Sequence, residues 1–274
     1  MTNKTGVLTF GVISYLVGFS ALVGWIGSML GLIPFQYGIV NYTTDSVGSA
    51  FAIAIGLTSL FAIQHTVMAR QTFKRFINQY IPAAAERSLY VLMSGITLHC
   101  AILFWPKNGV VLWNIENSIA STLIMSIGVA GWAYLFVASF ALNHFELFGL
   151  EQTYNYYQGK PLHRVPFQES WMYSFDRHPI MTGALIGMWF TPQMTVDHLM
   201  FSGIFSAYII AGVSVEERDL VRQWGTRYMD YRSRVKTIVP TFDMIGPNDI
   251  KASESKQNKQ NKQKKGEDET KKAA

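Results

Sequence analysis

Two clusters of charged and aromatic residues stand at the two ends of one apolar stretch in the C-terminal half of the chain. Arginine holds a carboxylate through two parallel hydrogen bonds, and the N-terminus of a helix offers free backbone N–H groups to an anion. Glutamate accepts from hydroxyl and amino groups, and tyrosine rings attract a cation. The clusters therefore suit a zwitterionic, positively charged, aromatic cofactor such as S-adenosylmethionine. The candidate cofactor-binding residues are Arg177, His178, Pro179, Glu216, Glu217, Tyr228 and Tyr231.

A second interpretation of the same residues is structural. Arg177 and Glu217 can form an ion pair that ties together the two ends of the apolar stretch. Neighbouring residues of a helix point about 100° apart, so Glu216 and Glu217 cannot both face one arginine. We therefore expect one of the two carboxylates to remain available for a ligand.

Several familiar motifs are absent from the sequence. It contains no glycine-rich dinucleotide or phosphate-binding loop, no HExxH and no GxSxG. The six histidines are scattered without metal-ligand spacing, so no metal site is predicted. The single cysteine, Cys100, excludes an internal disulfide and lies in an apolar run, where we expect a packing role.

The composition is that of a protein embedded in a bilayer. Hydrophobic residues make up 49% of the chain and charged residues only 15%. No charged residue occurs between Lys4 and Asp45, or between Glu116 and Glu146. Apolar runs of about 20 residues are long enough to cross a bilayer as helices.

The predicted fold class is all-α, a polytopic transmembrane helix bundle with five to six membrane segments. The last two segments are predicted to form a short helical hairpin, because the stretch from Pro179 is interrupted at Thr191-Pro192 and Asp197 can cap the final helix. The predicted segments are 6–33, 47–69, 88–105, 118–142, 179–191 and 197–215.

The orientation follows from where the basic residues lie. Lys and Arg are concentrated in the segments that share one side of the bundle, including those around Arg70, Arg177 and 218–236. Basic loops remain in the cytoplasm, so both termini and the charged clusters are predicted to be cytoplasmic. Leu220, Trp224 and the residues that follow at three- and four-residue spacing predict a cytoplasmic amphipathic helix.

The sequence divides into a membrane domain, 1–242, with its cofactor signature at 171–240, and a tail, 243–274. The segment from Ile250 to the C-terminus contains eight Lys and four acidic residues and no large apolar side chain beyond Ile250. This composition predicts disorder, and it accounts for most of the net charge of +5. The membrane domain is nearly neutral, which gives no support to nucleic-acid binding.

The motifs resemble those of a known superfamily. RHPIMTG from Arg177, EERDL from Glu216 and GTRYMDYRSRVKTIVP from Gly225 resemble the C-terminal signature of isoprenylcysteine carboxyl methyltransferases, which bind S-adenosylmethionine. This chain has Ile180-Met181 where that signature usually has a tyrosine. QHTVMAR, ERSLYVL, NHFELFGLEQ and TPQMTVDHL resemble bacterial methanethiol S-methyltransferases. The resemblance implies methyl transfer from S-adenosylmethionine to methanethiol in the bacterial inner membrane.

Methyl transfer to a thiol requires the thiolate, which is scarce at pH 7. The candidate bases are His144, Glu146 and His65, and His144 ranks first because it adjoins the predicted active-site loop. His65 and Gln64 are predicted to lie at the same depth, while His99 and His198 are expected to be structural.

Other functions remain open on the sequence alone. The acceptor can be a larger lipidic thiol, carboxylate or amine. The remaining alternatives are a non-catalytic membrane protein related to denitrification, a carrier, and a sterol-type reductase with a nicotinamide cofactor. The sequence does not determine an oligomeric state.

Overall fold

The computed structural model describes residues 3–39, 43–44, 46–162, 167, 169 and 171–238. The predicted tail, 243–274, and the last residues of the cofactor signature lie outside this part of the chain. The helices are α1 (Lys4–Met29), α2 (Val47–Met68), α3 (Gln71–Ile77), α4 (Ala83–Leu103), α5 (Ser118–Ala141), α6 (His144–Leu147), α7 (Leu150–Gln158), α8 (Pro179–Trp189), α9 (Val196–Trp224) and α10 (Thr226–Arg234). The strands are β1 (Val111–Asn114) and β2 (Gln193–Thr195), and short 3-10 helices lie at Phe35–Gly38 and Trp171–Ser174.

Four helices, α1, α2, α5 and α9, are long and apolar enough to cross a membrane. Many of their large apolar side chains face outward, as expected where the surroundings are lipid rather than water. The chain is therefore an integral membrane protein with a mostly helical fold. The predicted segments 6–33, 47–69 and 118–142 coincide closely with α1, α2 and α5, because runs of apolar residues without charges identify membrane helices directly. The predicted number of five to six segments stays a prediction.

The α8–α9 hairpin differs from its prediction. Helix α8 has 11 residues and ends before Thr191-Pro192 as expected, but α9 has 29 residues and is not short. Helix α9 continues straight through Glu216 and Glu217, because these residues are good helix formers and no glycine or proline interrupts them. Its N-cap is Thr195, whose hydroxyl accepts from the His198 N–H, so the expected cap at Asp197 is wrong.

A short antiparallel sheet closes the end of the bundle where α9 begins, which we call the sheet end. Strand β1 pairs with β2, with Val111 opposite Thr195 and Asn114 opposite Gln193. The all-α expectation missed this sheet. Helix α8 is only about 17 Å long, so the chain needs an extended segment to reach the start of α9. That segment finds backbone partners in β1.

Asp197 anchors the sheet end. Its carboxylate accepts from the backbone N–H of Asn108 at 2.6 Å and of Gly109 at 3.3 Å, and its carbonyl accepts from the Trp105 indole at 3.1 Å. This carboxylate therefore stabilises the loop that follows α4, which is the reason for its burial in an apolar bundle.

The opposite end of the bundle, which we call the polar end, gathers the charged residues. Arg70, just after α2, forms an ion pair with Asp219 of α9 at 2.7 Å. The Arg87 guanidinium donates to the Leu147 carbonyl at 2.8 Å, which joins α4 to α6. Within the described residues, α1, α2, α4, α5, α8 and α9 therefore alternate in direction between the two ends.

Helix α8 is seated against α5 through glycines. A Cβ atom on Gly183 would lie 2.6 Å from the Gly131 carbonyl oxygen and 2.6 Å from the Leu135 nitrogen. At Gly187, a Cβ atom would lie 2.3 Å from the Trp132 ring. Only glycine permits this approach, which sets the position of α8 and of the residues that precede it.

The predicted C-terminal amphipathic helix is two helices rather than one. The chain leaves α9 at Gly225, whose φ of 56° favours glycine, and α10 starts at once. The turn directs Tyr228, Tyr231 and Val235 into a small apolar cluster with Phe167. Helix α10 therefore folds back over the end of α9.

Candidate active site

Arg177, His178 and Pro179 are positioned by Asp176, which sequence reasoning did not select. One carboxylate oxygen of Asp176 accepts from the His178 backbone N–H at 3.0 Å, and the other accepts from the Tyr134 hydroxyl at 3.1 Å. Asp176 is fully buried, and burial raises the pKa of its carboxyl group despite these hydrogen bonds. Pro179 then opens α8, as predicted for a proline in the first helical turn.

Glu217 lies at the centre of the polar end. Its side chain is 1% exposed. Its Oε1 atom lies 2.8 Å from Nε of Arg177 and 3.3 Å from Nε2 of His178, and its Oε2 atom lies 3.5 Å from Nε of Arg232. An isolated buried carboxylate would be very costly, so these three partners are required to keep Glu217 in place.

The rest of the Arg177 guanidinium is occupied by the C-terminal segment. Nη1 donates to the carbonyl oxygens of Arg232 and Val235, both at 2.7 Å, and Nη2 donates to the Thr237 hydroxyl. The Arg177 backbone N–H also donates to the Lys236 carbonyl at 2.9 Å. These contacts agree with the structural interpretation of Arg177, in which its ion pair with Glu217 ties the start of α8 to α9. A direct bond to a cofactor carboxylate stays a prediction.

Glu216 has the opposite environment. Its side chain is 52% exposed, and its Oε2 atom lies 3.8 Å from Nδ1 of His178. Consecutive positions on α9 thus direct Glu217 inward and Glu216 outward, as the helix geometry predicts. Glu216 is the carboxylate that a ligand can reach.

The tyrosines of α10 complete this cluster. The Tyr231 hydroxyl donates to the Tyr173 carbonyl at 2.6 Å. Tyr228 is 1% exposed, and its hydroxyl has no hydrogen-bond partner among the described residues. Burial, followed by the Glu217 carboxylate, raises the pKa of Tyr228, so its hydroxyl keeps its proton. A buried hydroxyl without a partner is uncommon and marks a position where a bound ligand can supply one.

His144, the first-ranked base, lies in a cage of aromatic rings. It is 2% exposed and stacks on Phe140, with ring centroids 4.5 Å apart. Its Nε2 atom lies 3.2 Å from the Tyr15 hydroxyl and its Nδ1 atom 2.9 Å from the Ser139 hydroxyl. Burial lowers the pKa of His144. Both ring nitrogens already have partners, which is the arrangement of a packed histidine.

His65 lies between α2 and α4 and is half-buried. Its Nε2 atom lies 2.5 Å from the Tyr90 hydroxyl, and its Nδ1 atom lies 3.1 Å from the Ser94 hydroxyl. Glu146, the remaining candidate, is half-buried on α6. His65 of α2 forms a polar group with Tyr90 and Ser94 of α4. No single sequence motif contains all three residues, because they come from two helices.

His99 and His198 have the structural partners expected of them. His99 contacts the Tyr37 hydroxyl at 2.7 Å, and His198 contacts the Met188 carbonyl at 2.7 Å. Within the described part of the chain, no group of three or more His, Cys, Asp or Glu residues could hold a metal ion.

Comparison with known proteins relates this chain to named enzymes. It is 37% identical over 231 residues to methanethiol S-methyltransferase 1 of Bradyrhizobium diazoefficiens, covering 84% of this chain and 81% of the relative. It is 35% identical over 238 residues to methanethiol S-methyltransferase of Crocosphaera subtropica, covering 87% and 93%.

Nurim of Rattus norvegicus is a more distant relative, 27% identical over 229 residues and covering 78% of this chain and 86% of the relative. No protein-family model matches the chain, and no solved structure matches it significantly. The resemblance drawn from the sequence motifs is confirmed by the relatives that are at least one-third identical over most of their length. This chain belongs to the methanethiol S-methyltransferase family.

Proposed function

We propose that this protein transfers a methyl group from S-adenosylmethionine to methanethiol and releases dimethyl sulfide and S-adenosylhomocysteine. The observation that carries the proposal is the identity of 35–37% to methanethiol S-methyltransferases over 81–93% of their length. The polar end supports it independently, because it combines a reachable carboxylate, buried tyrosines and a buried hydroxyl without a partner.

The S-adenosylmethionine site is proposed to lie beside Glu216. Its exposed carboxylate suits an amine or hydroxyl donor, or balances a positive charge. His178 lies within 3.8 Å of that carboxylate and is held by Glu217. The Tyr228 hydroxyl, which has no partner among the described residues, is proposed to bind a ligand atom. Pro179 begins the helix whose N-terminus faces the same end.

Arg177 and Glu217 are assigned to holding this site together. Arg177 joins α9 to the segment Val235–Thr237, so it keeps α10 folded against the end of α9. Tyr231 is fixed by the Tyr173 carbonyl in the same way. These residues would position the cofactor through the fold of the polar end rather than through a direct contact.

S-adenosylmethionine supplies an electrophilic methyl group when bound, and a thiolate attacks it in line. For such a displacement, correct positioning provides most of the rate enhancement. The protein must also provide thiolate, since an alkanethiol is mostly protonated at pH 7. The site therefore needs a proton acceptor near the acceptor pocket, for which His144, Glu146 and His65 are the candidates from the sequence.

The polar end is proposed to face the cytoplasm of a bacterium, with five to six segments in the inner membrane and both termini on that side. The polar end carries Arg70, Lys74, Arg87 and Arg177, whereas the loop before β1 at the sheet end carries only Lys107. On this assignment residues 1–242 form the membrane domain, α10 lies at the cytoplasmic interface, and 243–274 form a tail in the cytoplasm.

The orientation is tested with single cysteines introduced at Lys107 and at Lys160 after Cys100→Ala. In intact cells, an impermeant thiol reagent is expected to label the cysteine at 107 and to leave the one at 160 unlabelled. The reverse pattern would show that the active site faces outward.

The activity is tested with purified protein in detergent or in membrane vesicles. With methanethiol and S-adenosylmethionine, dimethyl sulfide is expected in the headspace, and S-adenosylhomocysteine is expected to bind in calorimetry. Binding of S-adenosylhomocysteine without dimethyl sulfide would assign a methyltransferase with another acceptor, such as a lipidic thiol. No binding and no product would remove the methyltransferase assignment.

A further inference from the structure

Three histidines of the bundle have the same kind of environment. Each has one ring nitrogen beside a tyrosine hydroxyl and the other beside a serine hydroxyl. The three groups are Tyr90, His65 and Ser94; Tyr37, His99 and Ser20; and Tyr15, His144 and Ser139. The hydrogen-bonding partners are of the same type in all three groups, so only the position of each group in the fold can distinguish its role.

The Tyr90 group lies beside α9, the helix that carries Glu216. The His65 ring lies 6.4 Å from the Tyr208 ring of α9, and Arg70, just after α2, pairs with Asp219 further along α9. Tyr208 and Asp219 bracket Glu216 on α9, so Glu216 lies on the part of α9 that the segment His65–Arg70 contacts. The group and the cofactor site are therefore neighbours at the polar end.

The other two groups are placed differently. His144 is 2% exposed inside its aromatic cage. His99 and Tyr37 lie towards the sheet end, where Tyr37 belongs to the 3-10 helix after α1. Tyr90 and His65 are both half-buried, as are His99 and Tyr37, so their place beside α9 is what sets them apart.

One positive side chain, Arg87, lies directly beside Tyr90. The Arg87 guanidinium lies over the Tyr90 ring, 4.8 Å from its centroid, and is fixed by its bond to the Leu147 carbonyl. Tyr208 and Glu216 are the other titratable groups that act on Tyr90, both from α9. A thiolate that forms near Tyr90 would be stabilised by Arg87.

We propose that Tyr90 is the catalytic residue that takes the proton of the thiol, with His65 as the final proton acceptor. The thiol S–H bond breaks and its proton moves to the Tyr90 oxygen, while the Tyr90 O–H proton moves to Nε2 of His65. The sulfur keeps the electron pair of the broken bond and becomes the thiolate nucleophile. His65 becomes an imidazolium and later releases the proton to water.

Ser94 sets the tautomer of His65 that this relay requires. Nε2 must accept from Tyr90, so the ring proton must lie on Nδ1, which then donates to the Ser94 hydroxyl at 3.1 Å. The Tyr90 oxygen and Nε2 of His65 lie 2.5 Å apart, so the two groups are in direct hydrogen-bond contact. Ser94 is thus a positioning residue, and Tyr90 is the group that touches the substrate.

The proposal rests on the proposed function, and its test compares two acceptors of nearly equal size. Methanethiol must lose a proton, whereas methaneselenol is already ionised at neutral pH. In Tyr90→Phe, dimethyl sulfide formation from methanethiol at pH 7 is expected to fall about 100-fold or more. Turnover of methaneselenol is expected to fall less than fivefold, and the defect with methanethiol should shrink as pH rises to 9.

A binding measurement separates this result from a loss of structure. S-adenosylhomocysteine should bind Tyr90→Phe with unchanged affinity. Methanethiol should bind the S-adenosylhomocysteine complex of that variant more weakly at pH 7, whereas methaneselenol should bind it as it binds the wild type. Tyr37→Phe is the matched control, since it removes the same type of hydrogen bond from His99 and should change none of these quantities.

Two outcomes would overturn the relay. The first is that Tyr90→Phe retains wild-type turnover of methanethiol at pH 7. The second is that it loses turnover of both acceptors equally at every pH, which would show a packing role. If the wild type itself forms no dimethyl sulfide or fails to bind S-adenosylhomocysteine, the proposed function fails and the relay with it.

Discussion

Nε of Arg177 donates a hydrogen bond of 2.8 Å to Oε1 of Glu217, so that two charged side chains forty residues apart meet where each is almost fully buried. The remaining nitrogen atoms of the guanidinium bind the C-terminal segment. One side chain therefore connects the start of α8, the end of α9 and the segment after α10. A lysine has one ammonium group in place of this planar fork and cannot make these contacts together.

The first prediction concerns the stability of this connection. Arg177→Lys is expected to lower the free energy of unfolding by about 3–5 kcal/mol, because it leaves Glu217 buried and incompletely paired. Unfolding in detergent, followed by the fluorescence of the tryptophans, measures the change. Arg227→Lys is the control, since Arg227 is 58% exposed in its ion pair with Glu169 and should cost about 1 kcal/mol or less. Equal losses in the two variants would contradict the structural role of Arg177.

A second prediction separates the two adjacent glutamates. Glu216→Gln is expected to weaken S-adenosylhomocysteine binding by about 10- to 100-fold, which corresponds to the loss of one charge-assisted hydrogen bond. Its unfolding temperature should not change, because the carboxylate is half exposed. Glu217→Gln should lower the unfolding temperature strongly. Calorimetry and thermal unfolding of both variants check this division, and normal binding by Glu216→Gln would remove Glu216 from the site.

The third prediction is a pH dependence that arises at His144. Burial lowers the pKa of His144 below its usual value of about 6.5, so the unfolded chain binds a proton more readily than the folded protein does. The contribution of His144 to stability is therefore complete above pH 6.5 and declines as the pH falls towards the folded-state pKa. His144→Gln should remove this decline.

The measurement is the unfolding temperature between pH 7.5 and pH 5. The wild type should lose more stability over this range than His144→Gln. Tyr15→Phe is the control, because it keeps the histidine while removing one hydrogen bond, and it should retain the wild-type slope. A slope shared by wild type and His144→Gln would assign the pH dependence to other groups. With methanethiol, His144→Gln should retain the wild-type shape of the pH–rate profile.

The fourth prediction tests how α8 is seated. Gly183→Ala is expected to lower the free energy of unfolding by about 1–3 kcal/mol, since the new methyl group would meet backbone atoms of Gly131 and Leu135 that cannot move away. Gly203→Ala is the matched control on α9, where a Cβ atom would have no neighbour within 4 Å. Alanine also favours the helix by about 1 kcal/mol, so Gly203→Ala should be neutral or stabilising. Similar stabilities for both variants would show that α8 does not pack closely on α5.

The apolar helices α1, α2 and α5 and the class of reaction could be predicted from the sequence. Apolar runs without charges define the membrane segments locally, since each helix satisfies its own backbone hydrogen bonds in lipid. The charged motifs at Arg177 and Glu216 are contiguous in the sequence, so they can be recognised without a structure and were sufficient to identify the superfamily. Prediction was weakest where the chain is neither apolar nor regular, as in the extended segment that forms β2.

The tertiary structure alone decided which side chains meet. Glu216 and Glu217 are equivalent in the sequence, and only the packing of α9 buries one and exposes the other. His144 ranked above His65 by its place in a motif, whereas the fold encloses His144 in aromatic rings and brings Tyr90 to His65 from another helix. Such choices depend on contacts between residues that are distant in the chain, which hydrophobic periodicity and motif spacing do not encode.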